Sequence, residues 1–188
     1  TNRRTRTLNE VREQGLRFST VLDESSGILR KGLNAAVQAF ELAFPMSEQV
    51  TFHIKTVNNV MGLLPSNPHD SRIHNHIGHW SPSQLATFIA NSDVGVFPSR
   101  GEGFGLCHLD YACQAIPLIT TGFGGVSEFL CPGMYSRVEG HFEDANDGPF
   151  RHGRWVVPEV DSIAAAMKNM AANWLQWRPK AHAMSESA

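Results

Sequence analysis

Residues 97–115 read F-P-S-R-G-E-G-F-G-L-C-H-L-D-Y-A-C-Q-A. Their order predicts a strand, a glycine turn and a helix. Val94 to Phe97 is a short apolar run, as expected of a strand buried on both faces. Gly101, Gly103 and Gly105 follow within five residues. Glycine tolerates positive φ and lets backbone approach a ligand closely. The helix behind the turn, ending near Ala115, points its free N–H groups back at the glycines, and such an end attracts phosphate. Glu102 sits in the turn and Asp110 lies eight residues on, about two helical turns away. Carboxylates accept hydrogen bonds from vicinal hydroxyls, so this spacing suits two hydroxyl-bearing parts of one ligand. A tight strand-to-helix turn with two solvated acids fits the same glycines.

Outward from this stretch, strands alternate with helices. Leu16 to Leu22, Val50 to Thr56, Arg72 to Ile77 and Pro117 to Thr120 read as strands, and Trp155 to Pro158 as a last short strand or extended segment. A helix from about Arg30 carries Leu33, Ala36, Val37, Phe40 and Phe44 on one face and stops at Pro45. Ser81-Pro82-Ser83-Gln84 is a capping box with proline at the first helical position, and that helix runs to about Asn91. Gly124-Gly125 opens a short helix through Leu130, with Glu128 in its capping. Asp161 caps a last helix in which Ile163, Met167, Met170 and Trp174 share a face. The pattern predicts an α/β, Rossmann-like doubly wound parallel sheet, with ligands at the carboxyl ends of its strands.

The chain has 188 residues, 41 % hydrophobic and 18 % charged, with a formal net charge of -2. That is a globular balance, with nothing to draw nucleic acid. Residues 1–16 read as a polar leader in which Arg3, Arg4 and Arg6 are solvated. Residues 17–178 form one domain and 179–188 a tail. No run of about 18 apolar residues spans a membrane, and no signal peptide is expected. Cys107, Cys113 and Cys131 are an odd number without metal-finger spacing, so free thiols in a reducing compartment are expected.

Arg30-Lys31-Gly32 places two cations at the start of an amphipathic helix, against the dipole preference. An anionic ligand explains them, as does an exposed Arg-Lys pair. A diphosphate between this helix start and the one near Gly105 would be neutralised from two sides.

Taken together, three stretches resemble the donor domain of retaining GT-B glycosyltransferases of glycosyltransferase family 4. They are R-K-G-L-N-A-A-V-Q-A-F from Arg30 to Phe40, the long signature from Ser92 to Leu130, and W-V-V-P-E-V-D from Trp155 to Asp161. The resemblance covers about Phe18 to Met170. It implies the C-terminal half of a GT-B architecture, binding a nucleotide diphosphate sugar (UDP-, GDP- or ADP-linked) for retaining transfer of a hexosyl group without metal or other cofactor. Lys31, with Arg30, would bind the diphosphate. Glu102, first acid of the family's E-x7-E motif, would contact the donor sugar. The backbone of Gly103, Phe104, Gly105 and Leu106 would contact sugar and diphosphate. Asp110, where the family has a second Glu, would hold the ribose. Glu102 and Lys31 would be the catalytic pair. Two departures stand out: Asp110 is one methylene short, and the usual Gly-Arg after the first strand is replaced by Val21-Leu22-Asp23 and a longer loop. The acceptor would bind an N-terminal domain outside these residues, leaving this chain inactive alone. A cytoplasmic protein is expected, working at a membrane face through that other half.

Other readings are weaker. His74, His76 and His79 lie in H-N-H-I-G-H, and the first and last of H-N-H share a strand face, yet a loop bordering the site explains them without metal. A dinucleotide oxidoreductase needs G-x-G-x-x-G after the first strand, where only Gly27 stands. Glu102 and Asp110 do not flank one glycosidic bond as a hydrolase pair does. Cys107 and Cys113 read as small buried hydrophobes, and Trp174 and Trp177 as core. A non-catalytic module that binds a nucleotide or nucleotide sugar without turnover remains open beside the enzyme.

Overall fold

The computed structural model describes residues 6–45, 49–64, 70–145 and 152–187. In chain order the elements are α1 (Leu8–Gln14), β1 (Leu16–Val21), α2 (Ile28–Lys31), α3 (Leu33–Ala43), β2 (Val50–Thr56), β3 (Ile73–Ile77), α4 (Pro82–Ala90), β4 (Val94–Phe97), α5 (Leu106–Cys113), β5 (Leu118–Thr120), β6 (Ser136–Arg137), β7 (Gly140–Asp144), β8 (Arg154–Pro158), α6 (Val160–Ala172) and α7 (Trp174–Ser187). Six strands form one sheet in the order β3-β2-β1-β4-β5-β6, and every neighbouring pair is parallel. This is the doubly wound, Rossmann-like order. Strand order reverses between β1 and β4, so the loops leaving these two strands flank the crevice where such sheets bind ligands.

The apolar runs decide the layers. β4 is buried at all four positions, as a central strand covered on both faces must be. On one face Phe18, Phe40, Phe44 and Phe52 pack ring against ring, with centroids 5.3 to 6.3 Å apart; α3 and α6 close this side with Leu33, Val37, Ile163, Met167 and Met170. On the other, Phe97, Tyr111, Leu118 and Val126 form a smaller core under α4 and α5. Helix α7 joins the two, beginning in the first core at Trp174 and reaching the second at Met184. The capping box at Ser81 forms as its sequence predicts.

Several boundaries differ from the sequence expectation. Arg6 is not solvated: its side chain is buried and pairs with Asp93, whose carboxylate also accepts the Arg17 N–H at 2.8 Å. Thr7 and Glu10 cap α1 reciprocally, so an ordered helix occupies part of the expected leader. Arg3 and Arg4 lie outside the described residues. At the other end, residues 179–187 continue α7, with Pro179 inside it and Ala181 and Met184 fully buried. The last helical stretch breaks at Asn173. Asp161 lies in the first turn of α6; the cap position is Glu159, without a side-chain cap bond. Strand β8 forms as expected but pairs antiparallel with β7, outside the main sheet.

Candidate functional site

Arg30 and Lys31 do not open the amphipathic helix. They end α2, a single turn, and Gly32 separates it from α3 in the left-handed region at φ 69°. The two cations therefore sit at a helix C-terminus, where the dipole favours them. Gly32 is required twice over. Its φ suits glycine, and a Cβ there would overlap the Pro98 carbonyl. This close approach, with the Arg100 N–H donating to the Arg30 carbonyl at 2.8 Å, brings the loop after β1 against the loop after β4.

The result is one cluster. Lys31 Nζ donates to Glu102 Oε1 at 2.8 Å, and Arg30 lies 3.4 Å from Glu102 Oε2. Arg30 also donates to the Gly101 carbonyl at 2.7 Å, and Ser99 Oγ to Glu102 Oε1 at 2.8 Å. Burial alone would raise the Glu102 carboxyl, but the bonds and charge from Lys31 and Ser99 outweigh it and hold it below its ordinary value. From behind, Gly125 N–H donates to the Glu102 carbonyl at 3.0 Å. A Cβ on Gly124 or Gly125 would run into the Glu102 or Gly103 carbonyl, which is the reason for the paired glycines.

Glu102 stands between two clefts. One of 310 Å³ is lined by Asp23, Lys31, Glu102 and the start of α5, Gly105 to His108. The other, of 430 Å³, is lined by Arg30, Gly101, Gly103 and the β8 end of the hairpin at Arg154 and Trp155. Gly105 takes φ 85° as N-cap of α5, leaving that helix's first N–H groups without intrahelical acceptors. An ammonium, a guanidinium and a helix N-terminus thus converge beside one buried carboxylate. Such a set cradles an anion and offers an acceptor to neighbouring hydroxyls.

The sequence-predicted residues are mostly gathered. Phe104 and Leu106 are exposed at the cleft mouth, 50 % and 68 % accessible. Asp110 is exposed, one turn beyond Leu106 on the same face of α5, and outside the residues lining either cleft. Partial desolvation raises its carboxyl. The sequence reading missed Ser99, Asp23 and His108. The His108 ring is buried, bonds Thr120 at 3.1 Å and is pushed down to about 4 by burial. A serine three residues before an acid and a histidine in a helix carry no signal of their own. The three cysteines are free thiols. Cys107 and Cys113 are half-buried rather than fully buried as expected, and burial pushes the Cys107 thiol up. His74 and His79 are exposed and His76 bonds His53; no group of three or more metal-binding side chains gathers among the described residues. No described helix is long and apolar enough to cross a membrane.

A family model described as glycosyl transferases group 1 matches residues 27–173. A glycogen synthase of Mycobacterium tuberculosis is 34 % identical over 58 residues, spanning 31 % of this chain and 14 % of that protein. Among solved structures, WaaG, a glycosyltransferase involved in lipopolysaccharide biosynthesis, superposes with a TM-score of 0.72 at 16 % identity, over 100 % of this chain and 47 % of that one. The C-terminal domain of the group 1 protein LpcC from Francisella tularensis gives 0.64 at 13 % identity, over 98 % of this chain and 90 % of that domain. A pneumococcal O-GlcNAc transferase, GtfA, solved with UDP and GlcNAc, gives 0.66 at 18 %, over 92 % and 32 %. The chain thus spans under half of the first of these and matches an isolated C-terminal domain almost in full.

Proposed function

Because the chain belongs to the glycosyl transferases group 1 family, as the C-terminal half of a GT-B fold, we propose that it binds a nucleotide diphosphate sugar and presents it for transfer of the sugar with retention of configuration. The observation carrying this reading is the convergence of Lys31, Arg30 and the N-terminus of α5 on Glu102 at the point where strand order reverses.

The diphosphate lies between Lys31 and the first N–H groups of α5, in the cleft they share. As the sugar–oxygen bond breaks, negative charge grows on the leaving diphosphate. Cations and amides fixed beforehand stabilise that charge most where water is excluded. Glu102 accepts hydrogen bonds from the donor sugar, and the Gly103–Leu106 backbone positions sugar and phosphate. Asp110 reaches the ribose. With Lys31, Arg30 and the helix end neutralising the leaving group, the residues present do the work of a divalent cation, and the reaction needs none. The acceptor is supplied on a domain beyond these 188 residues. UDP, GDP and ADP donors all fit this reading.

The test is turnover in a protein in which this chain is joined to an acceptor-binding domain. Product followed by NMR should keep the donor's anomeric configuration, and EDTA should leave the rate unchanged. Donor binding without any sugar transfer would instead favour a non-catalytic nucleotide-sugar module.

A further inference from the structure

A cleft of 520 Å³ lies apart from this site and shares no residue with either cleft at Glu102. It occupies the sheet face beneath α4. Side chains alternate along strands, so while Phe18, Phe52 and Ile73 enter the phenylalanine core, Arg17, His53 and His76 point the other way. They line this cleft with Trp80, Phe88 and Thr87. The cleft runs from Trp80, near the carboxyl ends of the strands, to Arg17 at the start of β1. A doubly wound sheet normally hides an apolar face here; this one presents a guanidinium and rings.

The walls and floor have different chemistry. His76, Trp80 and Phe88 meet edge to face, with centroids 5.4 to 5.9 Å apart. His53 stacks on His76 at 5.2 Å, and their facing nitrogens bond at 2.9 Å, so these two nitrogens are already satisfied. Arg17 is the cation of the cleft, and no acidic side chain lines it. Among the described residues its guanidinium has no ion pair. The nearby Asp93 carboxylate attracts Arg17 at a distance, but its Oδ2 takes Arg6 and the Arg17 backbone N–H and no ion pair joins it to the Arg17 side chain. Burial, with the charges of neighbouring histidines and of Arg17 and Arg6, pushes His53 down to about 3, so this ring is neutral near pH 7 and Arg17 carries the charge of the cleft.

We propose that this cleft is a second ligand site, taking a small molecule that carries a phosphate or carboxylate on a flat ring, with the anion on Arg17 and the ring against His76, Trp80 and Phe88. The anion gives Arg17 a direct ion-pair partner, and guanidinium–oxyanion bonds are among the stronger ones. The ring fills space between aromatic edges that the fold leaves open. The proposal is independent of the donor reading, because it uses none of the same residues.

Calorimetric titration with phenyl phosphate and with benzoate tests it, using phenol and inorganic phosphate as controls lacking the anion or the ring. At least one of the two ring oxyanions should bind the unsubstituted protein and Lys31→Ala alike, and the better of them assigns phosphate or carboxylate as the head group. Arg17→Gln should weaken it at least about tenfold, and both controls should bind more weakly by a similar factor. Thr87→Trp, at an exposed position of α4 that lines the cleft, should fill the cleft and abolish binding, and it decides the matter if Arg17→Gln fails to fold. The proposal is overturned if neither ring oxyanion binds Lys31→Ala, or if inorganic phosphate binds Lys31→Ala as well as phenyl phosphate does. Binding lost in Lys31→Ala but kept in Arg17→Gln and Thr87→Trp would equally overturn it, by moving the ligand to the Glu102 clefts.

Discussion

Lys31 Nζ and Glu102 Oε1 are 2.8 Å apart, joining the loop after β1 to the loop after β4. The carboxylate thereby occupies the cation that the donor reading assigns to the diphosphate. A diphosphate entering the cleft competes with Glu102 for Lys31. Glu102→Gln removes the competing charge, so a free nucleoside diphosphate should bind several-fold more tightly to this variant than to the unsubstituted chain. The advantage of the sugar-bearing donor over the free diphosphate should shrink at the same time. Titration of both ligands into both proteins checks the two effects separately.

Gly32 sets the approach of these two loops. Gly32→Ala forces a side chain into a left-handed conformation against the Pro98 carbonyl. It should cost at least about 2 kcal/mol, read as a lower urea midpoint. It should also weaken diphosphate binding, because Arg30 and Lys31 are displaced with the turn.

Arg6 and Asp93 are separated by 87 positions and form a buried ion pair. Truncating Arg6 leaves the buried Asp93 carboxyl without its ion-pair partner. Arg6→Ala should therefore destabilise the fold by about 3 kcal/mol, measured by denaturant unfolding. Hydrogen exchange should show α1 opening first, since Arg6 also donates to the Glu10 and Gly15 carbonyls around that helix.

His108 gives the fold an acid sensitivity. Its folded value is about 4 against an ordinary 6.5. Between these the unfolded chain binds the proton and the native one does not, so this contribution is present at neutral pH and is lost as pH falls from about 6.5. From pH 7 to pH 5 it amounts to about 2 kcal/mol. Asp93, raised to about 6 by burial, runs the opposite way, so the measurement is a difference. The stability gap between the unsubstituted protein and His108→Gln should narrow by about that amount over this interval.

The legible parts of the sequence were those with local causes. Val50–Thr56 alternates and forms a strand with those bounds; Ser81 and Gln84 form the expected capping box; the glycine stretch reads directly as strand, turn and helix. What stayed hidden depends on distant partners or on short elements. Helix α1 has only seven residues, too few to show a period. Strand β7 is exposed along its whole length, so no apolar alternation marks it. Arg6 looks solvated until Asp93 is placed beside it. The break at Gly32 escaped because Leu33 to Phe40 continues the apolar spacing, and only the close approach of Pro98 explains why the chain turns there. Asp110 was placed on α5 as expected, yet one turn beyond the cleft lining.

The central claim, that the Lys31–Glu102 cluster and Asp110 build a nucleotide-sugar donor site, is tested most directly by calorimetric titration with UDP, GDP and ADP, repeated on Lys31→Ala and Asp110→Ala. The account predicts saturable binding of one nucleotide, weakened at least about tenfold by Lys31→Ala and measurably by Asp110→Ala. Binding that neither substitution changes would contradict it, and so would the absence of binding by all three nucleotides.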